Sequence, residues 1–271
     1  MQNTNNESKI LFSVDLEEFD VPEAYGHQLP LQTKLEVSME GMRKVQALMD
    51  KYGITGTIFT TALLAKYYPG YIRELSSRHE IASHTFYHNS FKEEDLVMSR
   101  IVLSSIINRE VRGIRMPLMQ HINAAALVKA GYLYDSSLHP TWLPGRYNNM
   151  GSRRTVHRRG KLWILPASVT PVLRIPVCWL SLKNFPFGLY KYCCKIILRR
   201  DNYIVLYVHP WEFTDLSSYK LPGIIKRLDG DRLLARLDGL FAYFLREGYT
   251  FDTHRGFIET LSRKYCKTNQ P

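Results

Sequence analysis

The chain has 271 residues, 45% hydrophobic and 23% charged, a globular composition that excludes a disordered or fibrous protein. Its longest stretch without a charged residue, 52–65, falls short of the roughly 18 apolar residues a membrane-spanning helix needs. The net charge of +11 is concentrated: 136–200 holds twelve Lys and Arg and no Asp or Glu, which leaves −1 for the remainder.

Within 136–200 the cations alternate with Leu162-Trp163-Ile164-Leu165, Val177-Cys178-Trp179-Leu180 and Phe185-Pro186-Phe187. Cations that find anionic headgroups and rings that sit at the interface suit an anionic membrane or a phosphate-bearing glycolipid, the alternative being a solvated basic surface. No helix-turn-helix, RNP or zinc-finger pattern is present, so nucleic acid is not expected as a partner. The polar start, Met1 to Glu7, lacks the basic-then-apolar order of a secretory signal, which points to a cytoplasmic protein. Cys178, Cys193, Cys194 and Cys266 form no CxxC and read as reduced and structural.

Taken in chain order, Lys9 to Val14 is a β-favouring run that delivers Asp15, Glu17 and Glu18 to a strand's C-terminal end. Helical spacing of Leu35, Met39, Met42, Val45, Leu48 and Met49 predicts a helix over 33–52 stopped by Gly53, followed by a β-branched strand at 54–60. The alternation continues with a helix near 62–78, a strand at 80–83, a helix near 92–109, a strand at 111–115 and a helix near 123–130. After an irregular basic segment come a strand at 203–208 and a helix near 231–247. This β/α alternation predicts a parallel sheet, open or closed into a barrel, in one domain spanning 1–271.

Chemistry-bearing residues gather after these strands. His84 and His88 are four apart, a spacing that on a helical turn sets both imidazoles on one side, as two ligands of one metal require. In Asp15-Leu16-Glu17 the strand's alternation sends both carboxylates the same way, one able to bind metal and the other to act on water there. His209 leaves an apolar strand ahead of Pro210-Trp211-Glu212 and is a candidate general acid. Arg115 also leaves a strand, and Asp135 is placed to pair with it. No G-x-S-x-G elbow, Walker loop or G-x-G-x-x-G occurs.

In order, Ser13-Val14-Asp15-Leu16-Glu17-Glu18-Phe19, Glu80 to His88, Arg115-Met116-Pro117, Tyr134-Asp135-Ser136-Ser137 and Leu206 to Glu212 resemble the polysaccharide deacetylase family with its NodB-homology domain. The branch most similar is that of exopolysaccharide biosynthesis. The matches run from about residue 10 to 254, with 136–200 as a basic, irregular insertion. The resemblance implies an α/β fold, a distorted, incomplete (β/α) barrel, with a divalent metal, usually zinc. It further implies Asp15 as general base, Glu17, His84 and His88 as metal ligands, Arg115 orienting Asp15, Asp135 holding Arg115, and His209 as general acid. Glu18 competes with Glu17 for the metal on this pattern. Leu118 stands where many relatives have tyrosine, at a position whose backbone N–H contacts the oxyanion, and Tyr207 where many have a leucine lining the acetyl pocket.

The expected activity is metal-dependent N-deacetylation of an N-acetylated sugar in a surface polysaccharide or its lipid-linked precursor. Two alternatives stand beside it. One is a deformylase or other amide hydrolase acting on a lipid-linked aminosugar or small cyclic amide. The other is a non-catalytic glycan- or membrane-binding protein, touching anionic membrane through 136–200.

Overall fold

The computed structural model describes residues 8–268, and their side chains as far as Lys264. The sequence readings on Met1 to Glu7 and on the Cys266 thiol therefore lie outside the described residues. The strands are β1 (Lys9–Leu16), β2 (Thr57–Thr60), β3 (Glu80–Ser83), β4 (Gly113–Ile114), β5 (Tyr134–Asp135), β6 (Trp142–Leu143), β7 (Tyr147–Asn148), β8 (His157–Arg159), β9 (Leu162–Ile164), β10 (Tyr203–Val208) and β11 (Thr250–Phe251). The helices are α1 (Leu31–Lys51), α2 (Ala62–Tyr67), α3 (Pro69–Leu75), α4 (Glu94–Ile107), α5 (Ala124–Lys129), α6 (Trp179–Asn184), α7 (Phe187–Asp201), α8 (Gly223–Lys226), α9 (Gly230–Arg246) and α10 (His254–Thr268).

One sheet runs in the order β10-β1-β2-β3-β4-β5-β9-β8, with β11 beside β1. Strands β10 through β9 are parallel, so all their C-terminal ends face one way. The sheet curls until the chain beyond β9 meets β10, where Ser168 N–H donates to Val205 O at 3.2 Å and Val205 N–H donates to Ser168 Oγ at 2.8 Å. The expected α/β architecture with an incomplete barrel is thus present as a curled half-barrel sheet.

Strand β1 shows how the sequence builds the two layers. Ile10, Phe12, Val14 and Leu16 face the surrounding helices, while Leu11 faces the barrel interior with Phe59, Ala82, Tyr134 and Val205. Period-two alternation therefore turns the odd residues inward. Helix α10 closes the N-terminal end of the barrel through Ile258 and Phe257. Helix α1 packs against the turn after β10, and Gly41 permits the approach: a Cβ there would lie 1.8 Å from Pro210 O.

Two expectations need correction. The helix expected over 62–78 is broken into α2 and α3 at Pro69, because a proline cannot continue the amide ladder and disfavours helical backbone at Tyr68. The segment 136–200 is not irregular. It contains β6 to β9, α6 and α7, the last burying Tyr190, Cys193, Cys194, Ile197 and Leu198 at helical spacing. Its aromatic, β-branched and cysteine residues are weak helix formers, so packing of that stripe rather than propensity makes the helix.

Candidate active site

Glu17, His84, Arg115 and His209 all follow C-terminal strand ends, and Asp15 is the penultimate residue of β1. The alternation that turns Leu11 inward also turns Ser13 and Asp15 inward and brings Glu17 to the barrel mouth. Glu18 falls on the other side, where its Oε1 accepts from Thr61 Oγ1 at 2.8 Å and burial pushes its carboxyl above the ordinary value.

Ligand-type atoms of Glu17, His84 and His88 lie within 4.8 Å of one another. The spacing does not act through a helical turn as expected. Residues 84–88 form a tight loop in which Thr85 has φ +64° and its Oγ1 donates to Tyr87 O at 2.8 Å. The result is the same convergence, with the two rings stacked 5.7 Å apart.

Hydrogen bonding fixes what these atoms offer. His84 Nδ1 lies 2.8 Å from Arg115 O, a carbonyl that can only accept, so Nδ1 carries the hydrogen. His88 Nδ1 faces the Asp20 carboxylate at 2.8 and 2.9 Å and donates likewise. In the neutral rings both Nε2 atoms are then lone pairs, each 3.0 Å from Glu17 Oε2. Two lone pairs and a carboxylate oxygen repel unless a cation sits among them. As a proton on His88, that cation is held firmly. Burial would lower the imidazole, but Glu17 and Asp20 carry it well above its usual value. Glu17 is held well below the carboxylate range because His88, His209 and His84 outweigh its own burial. The donor set of two imidazole nitrogens and one carboxylate fits a zinc-type ion, with the partners on Nδ1 orienting each ring. Trp211 Nε1 donates to Glu17 Oε1 at 3.2 Å.

Deeper in the barrel, the fully buried Arg115 guanidinium donates to Asp15 Oδ1 at 2.6 Å and Ser13 Oγ at 2.9 Å through Nη1. Its Nη2 reaches Ser136 Oγ at 3.0 Å, and its plane lies over Phe59. The expected support from Asp135 takes a different form. Asp135 accepts from Ser137 N at 2.8 Å and from Ser137 Oγ, whose oxygen accepts from Met116 N at 2.8 Å. Asp135 sits at the end of β5 and bends back over its own loop, so Ser136, not Asp135, holds Arg115.

His209 Nε2 is 4.0 Å from Asp15 Oδ2. Its Nδ1 lies 3.1 Å from Glu212 Oε1, which also accepts from His209 N at 2.8 Å. The imidazole stacks on Trp211 and meets Trp179 and Tyr207 edge-on. Burial lowers its pKa, but Glu17, Glu212 and Asp15 overcome this and hold it above the ordinary histidine value. Behind Glu212 lies Lys183, whose Nζ is 3.4 Å from Glu212 Oε2, with both side chains fully buried. Tyr207 packs with Ala167 and Cys178 beside His209. Leu118 is in the left-handed region at φ 55°, which costs a non-glycine residue about 1–2 kcal/mol.

Asp20, Ser136, Lys183 and Glu212 were not singled out by sequence reasoning. Glu212 had a signal, since it lies three residues after His209 behind a proline. The others are joined to the site only by the fold.

The twelve cations of 136–200 do not make one face. Arg154 pairs with Asp201, Lys195 with Glu247 and Lys183 with Glu212, while Arg174 donates to Ser152 O at 3.1 Å. Exposed Arg158, Arg159 and Lys161 surround the β8–β9 turn, and Arg199 and Arg200 end α7 just before β10, all at the end of the sheet opposite the site. Cys178, Cys193 and Cys194 are buried thiols. No helix among the described residues is long and apolar enough to cross a membrane.

Residues 37–134 match the family model for polysaccharide deacetylase. No curated protein matches. Among solved structures, the chain is similar to a Mycobacterium smegmatis protein named for the polysaccharide deacetylases, with TM-score 0.64, 16% identity and coverage of 96% of this chain and 92% of that one. It is similar to the Puue allantoinase, with TM-score 0.61, 16% identity and coverage of 94% and 90%. A CE4 family pseudoenzyme from Bacillus anthracis gives TM-score 0.51 at 10% identity, covering 94% of this chain and 66% of that one. At such identities the structures speak for the fold alone, and the family model speaks for residues 37–134.

Proposed function

We propose that residues 8–268 act as one catalytic unit that hydrolyses the amide of an N-acylated amino sugar, in a surface polysaccharide or its lipid-linked precursor on the cytoplasmic side. A divalent ion, zinc on the chemistry of the donors, would be held by Glu17, His84 and His88. The observation that carries this reading is the mutual facing of two imidazole lone pairs and a carboxylate oxygen beside a buried Asp15 and a His209. When bound, such an ion polarises the amide carbonyl and acidifies water.

The chain's own groups supply the proton traffic. Asp15, fixed by the 2.6 Å bond from Arg115, takes the proton of the attacking water. His209, whose pKa is lowered by burial but raised above the ordinary histidine value by the neighbouring carboxylates, gives a proton to the nitrogen as the C–N bond breaks. Glu212 on Nδ1 sets the ring so that Nε2 faces the site. The backbone N–H of Leu118 is the donor proposed for the oxyanion.

Tyr207 favours a second reading within the same chemistry. Packed with Ala167 and Cys178 next to His209, it narrows the acyl side of the site and suits a formyl group as well as acetyl. The test is incubation with N-acetylated and N-formylated amino sugars, free and polyprenyl-phosphate-linked, read by mass spectrometry with zinc supplied. Loss of the acyl mass with the wild type and not with Asp15→Asn supports hydrolysis. No loss from any of them, with zinc bound, leaves hydrolysis of a small cyclic amide and the non-catalytic glycan- or membrane-binding reading.

A further inference from the structure

Two loops at the C-terminal end of the sheet expose large apolar side chains that the proposed chemistry does not use. The first follows β5 and carries the β6–β7 hairpin, where Trp142 is 62% exposed. The second follows β9. Ser168 lies beside Val205, and the chain runs on past Thr170. It then turns and returns, with Val169 and Pro176 forming an antiparallel bridge. At its tip Val172 is 85% exposed and Leu173 73%.

These tips are held in place. Thr170 N–H donates to Ile175 O at 2.9 Å, and Ile175 N–H donates to Thr170 Oγ1 at 3.0 Å across the base of the second loop. Arg174, in the left-handed region at φ 54°, sends its guanidinium back to Ser152 O at 3.1 Å and Pro140 O at 3.4 Å. Thr141 Oγ1 completes the tie by donating to Arg174 O at 2.8 Å. The bond from Thr141 to Arg174 joins the immediate neighbours of Trp142 and Leu173, so the three apolar side chains share one rim of the barrel mouth. The first loop also touches the site itself: Tyr147 bonds His139 at 2.8 Å, and His139 packs on Tyr207.

We propose that this rim, with Trp142, Val172 and Leu173 as its inserting residues, docks on an anionic lipid bilayer and holds the barrel mouth at the membrane surface. Preorganised aliphatic tips enter the interface without an ordering cost, and an indole is favoured at that depth. The charge around them is complementary to an anionic surface. Arg146 on the β6–β7 turn is exposed, the Arg174 guanidinium bonds backbone carbonyls rather than an acid, and neither loop holds an Asp or Glu. The geometry is also wrong for a second copy of the chain. Three protruding side chains are far from the roughly 1,000 Å² of complementary surface that a stable protein interface needs. Docking by this rim differs from docking by the net charge of 136–200, because five of its cations lie at the opposite end. It extends the proposed function by presenting the mouth to a lipid-linked sugar, but its test does not depend on hydrolysis.

The experiment is co-sedimentation of the full chain with vesicles of phosphatidylcholine alone and of phosphatidylcholine with one third phosphatidylglycerol. Binding is expected to the anionic vesicles and to fall with salt. Val172→Asp/Leu173→Asp and Trp142→Ala should each weaken it about tenfold or more, with unchanged thermal melting, as the positions are solvent-exposed. Arg158→Gln/Arg159→Gln/Lys161→Gln, at the other end, should change it less than about twofold. Absence of wild-type binding, or rim variants that bind as wild type, would overturn the proposal. So would a dimer in sedimentation equilibrium that the Val172→Asp/Leu173→Asp variant dissolves, since the rim would then be a protein interface.

Discussion

Lys183→Met isolates the charge behind the proposed acid. Lys183 Nζ and Glu212 Oε2 face each other at 3.4 Å with no exposure, and neither atom makes a hydrogen bond. Removing the cation leaves a buried carboxylate without its partner, a change that costs about 3–5 kcal/mol. At about 2–4 °C per kcal/mol for a chain of this size, the melting temperature should fall by about 6–20 °C. Adding Glu212→Gln removes the second charge at nearly constant shape, and because a buried pair returns little net stability, most of that loss should be recovered. Activity should not follow. The amide introduced by Glu212→Gln can still accept from His209 N–H but no longer supplies the negative charge that helps to hold His209 above its ordinary value. With that charge gone the imidazolium gives up its proton at lower pH, so the alkaline limb of kcat in the double variant should move to lower pH. The assays are calorimetry and a kcat–pH profile on whichever N-acyl sugar is hydrolysed. A Lys183→Met protein that melts within about 2 °C of wild type, or a double variant with an unshifted profile, would refute the reasoning.

Asp20→Asn replaces the carboxylate on His88 Nδ1 with an amide whose oxygen can still accept but carries no charge. Zinc affinity should fall about 10–100-fold while the fold is kept, a change that competitive titration with a chromogenic chelator reads directly. Gly41→Ala would set a Cβ 1.8 Å from Pro210 O. Either α1 or the turn carrying His209 must shift, so kcat should drop by more than the loss of about 1–3 kcal/mol expected from overpacking explains, as shown by comparing kinetics with urea unfolding.

Much of this site is legible in the sequence because it depends on local periodicity. The alternation of β1 alone predicts that Asp15 and Glu17 share a side, and the same alternation in the fold sends Glu18 to Thr61. His84 and His88 converge as expected, although through a left-handed Thr85 rather than a helical turn, since a four-residue spacing does not specify the backbone between. What the sequence conceals is made by contacts between distant segments. Ser136 replaces Asp135 as the support of Arg115 because Asp135 is satisfied by its own loop. Lys183, one cation in a run without acids, reads as surface charge, yet its pairing with Glu212 buries it completely. Helix α7 was concealed differently. Its stripe of Tyr190, Cys193, Cys194, Ile197 and Leu198 has the right period but poor helix formers, so only the period could have revealed it.

The central claim, a cation site made of Glu17, His84 and His88, is tested most directly by the metal content of four purified proteins after zinc loading and desalting. The account predicts about one ion per chain in the wild type and in Glu18→Gln, and little in Glu17→Gln or His84→Ala/His88→Ala, since one or two remaining ligands hold zinc poorly. Full occupancy in the double histidine variant, or loss of metal in Glu18→Gln with retention in Glu17→Gln, would contradict it.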